Sequence, residues 1–344
     1  MSVFIRKADK PKESFNLAVI LGNRDTSGAV GIEIEVEGKK LPNQYNTPLP
    51  WVYHKDGSLR GEENGEYVLK APVPFDKVGN HLDTLWDRFA ELNSVLDESN
   101  RTSVHVHLNC QQFHFNRLTS FMAMYFTLEE VLTEWCGDHR VGNLFCLRAK
   151  DAPAIISQIR RFIRSEGRSR LSEHMHYAGL NASALTKFGS LEVRTLRGCP
   201  DKETIRNWVA ILERLYKLSD AFEDPREICS LFSQVGPLAF FEELLGDMAQ
   251  VVRNGINFDN DRISDSMYDG IRMAQDLCYC RDWSLFKAAK LSPDPFGRKA
   301  KSVAAKLQAA VQADTISFGQ AVASPYTLDD LYVPEYDALN SEDY

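Results

Sequence analysis

Five short segments of the chain alternate apolar with polar residues, which is the pattern of a strand that buries one face. They are residues 29–37, 50–54, 66–70, 103–109 and 190–196. Branched aliphatic residues are frequent in them, and these residues favour strands. The alternation therefore predicts one sheet, mostly antiparallel or mixed.

Four other segments repeat apolar residues at helical spacing, so that these residues share one face. The repeats run over residues 82–96, 118–132, 155–163 and 205–216. The fourth helix is expected to begin after Pro200 and Asp201. Strands with helices between them predict an α+β fold in which the helices cover the apolar face of the sheet.

The pattern changes towards the C-terminus. Residues 226–313 repeat apolar residues at helical spacing and lack a group of polar residues that suggests a site, which predicts a helical extension. Residues 321–344 contain several Asp and Glu but no Lys or Arg, so we expect an acidic, mobile tail over residues 314–344. Any catalytic domain is then expected within residues 1–225.

Composition and charge narrow the class of protein. The chain has 344 residues, of which 44% are hydrophobic and 26% charged, as in a folded globular protein. A net charge of -8 argues against nucleic acid or an anionic membrane as a partner. No apolar run is long enough for a membrane span, and seven scattered cysteines without zinc spacing favour a reducing, cytoplasmic setting.

One predicted strand has a row of carboxylates. Successive side chains of a strand point to opposite faces, so Glu33, Glu35 and Glu37 share one face. Neighbours in such a row lie roughly 6.5 Å apart at Cα, which lets long Glu side chains converge on one cation or hold two. The alternative is an exposed acidic face on a half-buried strand.

Two further strands place ionisable groups on one face in the same way. In SVHVHLN these groups are His105 and His107, and in SLEVRTL they are Glu192 and Arg194. Imidazole is a good metal ligand, although two merely hydrogen-bonded histidines would show the same spacing. A structural ion pair would likewise explain Glu192 and Arg194.

Together these strands predict a sheet with one aliphatic and one ionisable face. Glu66 follows the DGS turn and adds another carboxylate. Acids so close together could hardly all ionise without cations between them, and glutamates with an imidazole suit Mg²⁺ or Mn²⁺. No GxxxxGKS/T or GxGxxG stretch is present, so Arg194 and Arg197 are the candidates to hold nucleotide phosphates beside the metals.

Four motifs resemble one known superfamily. GIEIEVE, DGSL followed by EYVLKAPVP, HVHLN and LEVRTLRG occur in the order found in the carboxylate-amine ligases, which include glutamine synthetase and glutamate-cysteine ligase. The resemblance is strongest to the amidoligase branch and extends from Gly31 to Trp208. It implies a glutamine-synthetase-like curved sheet with helices on its convex face.

The resemblance also implies a role for each residue. Glu33 and Glu35 would bind two different metal ions, and His107 would face the phosphates of ATP. Arg194 would contact the transferred phosphate or the acyl substrate, and it forms the expected catalytic set with Glu35 and Glu192. The complete metal-binding set implied by the resemblance is Glu33, Glu35, Glu66, His105 and Glu192.

The implied reaction is ATP-dependent amide formation through an acyl phosphate at a site of two or three metal ions. The substrates would be a small-molecule or peptide carboxylate and an amine, whose binding motifs are not recognisable. A two-metal hydrolase and a non-catalytic interaction protein remain the alternatives. Residues 174–177, with Asn181 and Lys187, could line the pocket, but a surface loop is the favoured interpretation.

Overall fold

The computed structural model describes residues 12–13, 17, 28–198 and 201–287 of the chain. The strands are β1 Lys12–Glu13, β2 Val30–Lys39, β3 Trp51–His54, β4 Glu63–Leu69, β5 Val95–Asp97, β6 Ser103–Asn109, β7 Leu180–Asn181, β8 Ser190–Arg197 and β9 Phe286–Lys287. The α-helices are α1 Val78–Glu91, α2 Phe115–Cys136, α3 Ala154–Arg164, α4 Ala184–Phe188, α5 Lys202–Leu218, α6 Arg226–Val235, α7 Pro237–Leu245, α8 Met248–Asn254 and α9 Asn260–Cys278.

All five predicted strands lie in one sheet. The order is β3-β4-β2-β6-β8-β7, and each strand is antiparallel to its neighbours. The short strand β5 pairs with the end of β2. The prediction of a mostly antiparallel α+β fold is therefore confirmed, whereas the specific likeness to glutamine synthetase stays a prediction.

The aliphatic face of the sheet is buried. Ile32 and Ile34 of β2 and Val104 and Val106 of β6 are at most 1% exposed. Helix α2 packs against β8, and α5 packs against β6. The alternation predicted in the sequence thus separates an apolar face, covered by helices, from a second face that has the ionisable groups.

Helix α2 differs from the amphipathic helix that its sequence pattern predicts. All its residues except Glu130 and Glu134 are buried, including many polar ones. The reason is its position, because it packs against both β8 and α9. A helix that is enclosed on all sides must bury its polar positions as well as its apolar stripe.

The predicted first helix is shorter than its apolar repeat. It ends at Glu91, and Asn93 adopts a left-handed conformation with φ 50°. Leu96, which was expected on the helix, lies in β5 and pairs with Gly38 of β2. An Asn in the left-handed region is a frequent helix stop, and it outweighs the continuing apolar spacing.

The segment after residue 225 is helical, as predicted. Helix α9 has its most extensive packing with α2, and one continuous core joins the two parts of the chain. Residues 288–313 of the predicted extension and the predicted tail lie outside the described residues. None of the described helices has the length and apolar character that a membrane crossing requires.

Candidate metal centre

The sheet register brings the ionisable residues together. Glu33 on β2 lies directly opposite His105 on β6, and Glu35 lies directly opposite Glu66 on β4. Such cross-strand pairs hold their Cβ atoms about 5 Å apart. Four strands therefore contribute to one cluster, since Glu192 of β8 lies next to the same imidazole.

Glu33 lies between two imidazole rings. Its Oε2 is 3.1 Å from Nδ1 of His105, and its Oε1 is 3.2 Å from Nε2 of His107. Nδ1 of His105 is also 3.6 Å from Oε1 of Glu192. Nδ1 of His105 and Nε2 of His107 thus both face carboxylate oxygens.

The tautomer of His105 follows from its hydrogen bonds. The amide and the hydroxyl of Ser103 both donate to Glu35 Oε2, at 2.9 and 2.7 Å. Because that hydroxyl proton is used, Oγ of Ser103 accepts from Nε2 of His105 at 2.8 Å. In the neutral ring, Nδ1 then has a lone pair directed at Glu33 and Glu192.

His107 shows the same arrangement with a different serine. Its Nδ1 is 3.1 Å from Oγ of Ser190. Its Nε2 is buried and lacks a well-aligned hydrogen bond within the described part of the chain, although Glu33 is near. If Nδ1 donates to Ser190, the lone pair of Nε2 also faces a carboxylate, which is a repulsive contact unless positive charge lies between them.

The pKa values of the carboxylates depend on the other carboxylates and on the imidazole rings. Burial raises the pKa of Glu66 to about 7, and the neighbouring charges of Glu33, Glu35 and Asp56 contribute to the rise. Burial also opposes ionisation of Glu33, but the neighbouring imidazoles of His105 and His107 lower its pKa well below the ordinary value. The positive charge of Arg194 therefore offsets only part of the effect of burial and of the neighbouring carboxylates on Glu66.

Two other pKa shifts show where positive charge is favoured. Burial alone would lower the pKa of His107, but Glu33 and Glu192 raise it above the ordinary value. Burial would raise the pKa of Glu192, but Arg194 and the two histidines lower it. A proton on His107 is one way to supply further positive charge, and a bound cation is another.

The cluster contains two groups of three residues, and within each group the possible ligand atoms lie within 4.8 Å of one another. One group is Glu33, His107 and Glu192, and the other is Glu33, Glu66 and His105. Glu33 belongs to both, so the geometry suits two neighbouring cations that share this carboxylate. Oxygen ligands with one imidazole each fit Mg²⁺ or Mn²⁺.

Two residues occupy positions that differ from those that their expected roles require. Glu35, expected as a ligand, lies beside these groups, with Oε2 bonded to Ser103 and Oε1 3.7 Å from Nε2 of His105. His107, expected to face the phosphates, belongs to one group of ligand atoms. Both expected roles stay predictions, but the geometry favours support of His105 by Glu35.

The two arginines of β8 lie in different places. Arg194 donates Nη1 to Glu192 Oε1 at 2.7 Å, and its Nε is buried without a hydrogen bond in the described structure. Arg197 instead donates Nη1 to the carbonyl of Cys136 at 3.0 Å, at the end of α2. The expected role of Arg197 at the phosphates therefore has no geometric support, because its guanidinium caps a helix whose free carbonyls attract it.

Sequence reasoning missed the residues that orient the ligands. Ser103 and Ser190 each precede an ionisable residue by two positions, so the same alternation places them on the same face. The favoured interpretation of Asn181 as part of a surface loop is wrong, because it is buried in β7 and donates Nδ2 to Glu192 Oε2 at 2.8 Å. His174 and Tyr177 are exposed, as expected for a surface loop.

A cavity of about 270 Å³ adjoins the cluster at His107. It is lined by Gly31, Ile32, Glu33, Val68, Leu69, Lys70, Ala71, Pro72, His107, Asn109, Gln111, Phe188 and Ser190. Phe188 is 46% exposed at its rim, and its ring meets that of His107 edge to face at 5.6 Å. The cavity thus joins an apolar wall to the ionisable face of the sheet.

The structure assembles Glu33, Glu66, His105, His107, Glu192 and Arg194 into one cluster, with Glu35 at its edge and Arg197 outside it. No family model matches the chain, and no curated protein matches it significantly.

Proposed function

We propose that this chain is a metal-dependent, ATP-consuming ligase that joins a carboxylate to an amine. Two Mg²⁺ or Mn²⁺ ions would bind on the ionisable face of the sheet and share Glu33. The observation on which the proposal rests is that a ring nitrogen of His105 and one of His107 lie 3.1 and 3.2 Å from this carboxylate, with Glu66 and Glu192 in the same cluster. Cations at these positions would be bound by the carboxylates and the ring nitrogens together, and their charge would offset that of the carboxylates.

Each proposed ion has three protein ligands. Glu33, His107 and Glu192 would hold one ion, and Glu33, Glu66 and His105 the other. When bound, the ions would neutralise the phosphates of ATP and orient them. Ser103, Ser190 and Asn181 hold the ligands in place, as supporting residues of metal sites commonly do.

Ligase chemistry is supported by Arg194 and by the sequence motifs. Arg194 lies beside Glu192 with its side chain 20% exposed, so its guanidinium can contact a carboxylate or phosphate oxygen. In the proposed reaction the substrate carboxylate attacks the γ-phosphorus, ADP leaves, and an amine then displaces phosphate to form the amide. Arg194 would stabilise the negative charge that spreads over the transferred oxygens.

ATP is proposed to occupy the cavity beside His107. Its apolar wall at Pro72 and Phe188 suits a flat ring, and Lys70, Asn109 and Gln111 line the same space. The phosphates would then lie against the metal ligands that border the cavity, which are Glu33 and His107.

Two measurements, made one after the other, test the proposal. First, isothermal titration with Mn²⁺ should show binding that Glu33→Gln weakens by tenfold or more, an order of magnitude typical of a disturbed metal site. Glu37→Gln is the matched control, since Glu37 is buried on the same strand and face but accepts from the amide of Arg60 instead. Equal affinities in the two variants would end the assignment of this centre.

Second, a coupled assay for ADP release with Mg²⁺ and ATP should be run against pools of amino acids, peptides and polyamines. Ligase activity requires ADP formation that depends on both a carboxylate and an amine. Metal-dependent cleavage of a phosphoester or amide without ATP would favour the two-metal hydrolase instead. Absence of Mn²⁺ and ATP binding would favour the non-catalytic interaction protein.

A further inference from the structure

The solvent side of α3 and the loop after it form a dense basic patch, which we call the arginine surface. It consists of Arg160, Arg161, Arg164, Arg168 and Arg170. Arg161, Arg164, Arg168 and Arg170 are exposed. Arg160 is half-buried, with 41% of its side chain exposed. The opposite, apolar face of α3 is buried in the core, so the helix holds these arginines towards solvent.

Few carboxylates neutralise the arginine surface. Arg160 lies 3.9 Å from Asp276, and the nearby Glu166 is paired with Arg281 at 3.1 Å. Within residues 28–198 and 201–287, no carboxylate lies at ion-pair distance from the other four arginines, and Glu173 is exposed a few residues further along. Such a concentration of positive charge is unexpected in a chain whose net charge is -8.

The backbone beneath the arginine surface is well fixed. The amide of Ser172 donates to Oε1 of Gln158 at 3.0 Å, and the amide of Ser169 donates to Oγ of Ser165 at 2.8 Å. These bonds hold the loop against α3 around a depression lined by Gln158, Arg161, Ser169, Arg170, Leu171 and Ser172. The guanidinium groups of the arginine surface therefore extend from a backbone that is held in place by hydrogen bonds.

The described chain contacts the end of α3 a few residues before it stops. Arg281 donates to the carbonyl of Ile163 and to Glu166, both at 3.1 Å, which places residue 281 at the C-terminal end of α3. The described residues stop at 287. The remaining chain thus starts after residue 287, six residues beyond this contact, and at roughly 3.3 Å per extended residue it is long enough to reach the arginine surface.

We propose that the arginine surface binds the acidic segment of the same chain, residues 329–343. This segment contains Asp329, Asp330, Glu335, Asp337, Glu342 and Asp343 and has no Lys or Arg. Arginine pairs with carboxylates through directed hydrogen bonds, and the tether raises the local concentration of the segment. The inference is independent of the proposed ligase function.

Limited chymotrypsin digestion of the full chain tests this binding. Tyr332 and Tyr336 lie within the acidic segment and are cleavage sites for this protease, so the rate of their cleavage, measured by mass spectrometry, reports how often the segment is free. Arg164→Glu with Arg170→Glu should raise this rate about three- to tenfold at about 50 mM salt, and about 500 mM salt should do the same to the native chain.

The matched control is Lys39→Glu with Lys77→Glu, which changes the net charge equally on other elements. This control should leave the cleavage rate unchanged, and circular dichroism should show all variants folded. Adding Asp329→Arg and Asp337→Arg to the arginine variant should restore slow cleavage, because the signs of both partners are then exchanged.

Three results would overturn the proposal. One is equal cleavage of the native chain and the arginine variant. Another is equal acceleration by the lysine control, which would show an effect of net charge alone. The third is a cleavage rate that falls as protein concentration rises, which would identify the partner as the acidic segment of a second copy.

Discussion

At the scale of single residues, the geometry of the candidate centre depends on the hydrogen bonds that orient each ligand side chain. Glu192 has one oxygen bonded to Arg194 and the other to Asn181, so its orientation is fixed before any ion binds. Preformed ligands of this kind favour binding because little order remains to be imposed. Substitutions of Glu192 and Arg194 can therefore distinguish metal binding from substrate binding.

Glu192→Gln and Arg194→Lys should have different effects. The first removes a ligand charge, so Mn²⁺ affinity and turnover should fall together, the affinity by tenfold or more. The second keeps a positive charge but loses the planar fork, so Mn²⁺ affinity should persist while turnover drops about a hundredfold. Titration with Mn²⁺ and the ADP assay measure both. A structural ion pair would instead give two similar losses of melting temperature with unchanged Mn²⁺ affinity.

Ser103→Ala should weaken Mn²⁺ binding although serine contacts no ion in the proposed sites. The substitution removes the acceptor for His105 Nε2 and a donor to Glu35, so the ring loses the partner that fixes its tautomer. We expect roughly a tenfold loss of Mn²⁺ affinity by titration calorimetry. Ser120→Ala, at a fully buried serine within α2, is the matched control and should bind Mn²⁺ normally. An unchanged affinity in Ser103→Ala would contradict the supporting role.

At the scale of elements, the contact between α2 and α9 joins the segment after residue 225 to the rest of the fold. A Cβ at Gly270 would lie 2.5 Å from the carbonyl oxygen of Thr127 and 2.6 Å from that of Phe126. The two helix backbones therefore approach as closely as a glycine permits. The C-terminal helices are then expected to contribute to stability, and not only to cover a surface.

Gly270→Ala should consequently lower the free energy of unfolding by about 1–3 kcal/mol, because two backbones must move apart. The higher helix propensity of Ala offsets only part of this loss. Asp265→Ala, at an exposed position of the same helix, is the control and should change stability by about 0.5 kcal/mol or less. Denaturant unfolding followed by far-UV circular dichroism measures both. A separate early transition confined to some of the helices would show instead that the extension unfolds by itself.

At the scale of the whole molecule, one buried acid links stability to pH. Glu129 on α2 is buried, and its Oε2 accepts from the amide of Ala149 at 2.8 Å. Burial raises its pKa to about 8 from an ordinary 4.5. Between these values the folded state keeps a proton that the unfolded state has released, so folding loses stability as pH rises.

Glu129→Gln removes this titration but keeps the shape and an acceptor. The difference in unfolding free energy, variant minus native, should therefore increase from pH 5 to pH 8, by on the order of 1 kcal/mol per pH unit. Denaturant titrations at several pH values measure it. Glu134→Gln, at a half-buried position of the same helix, controls for the loss of a charge and should run parallel to the native chain. Parallel behaviour of Glu129→Gln as well would contradict the raised pKa.

The sequence by itself determined the strands, the face on which each ionisable side chain lies, and most members of the cluster. It could do so because a period of two is a local property that fixes the face of Glu33, Glu35, His105, His107, Glu192 and Arg194 without knowledge of their neighbours. The same alternation contained Ser103 and Ser190, whose importance appears only when their partners are known.

Only the tertiary structure decided which of these residues touch. Register across β4, β2, β6 and β8 places Glu33 between two imidazoles, and strand pairing is not encoded in any one segment. The free carbonyls at the end of α2 bind Arg197, which lies outside the cluster despite its place on β8. Enclosure by β8 and α9 buried the polar residues of α2, because burial depends on packing partners that lie far apart along the chain.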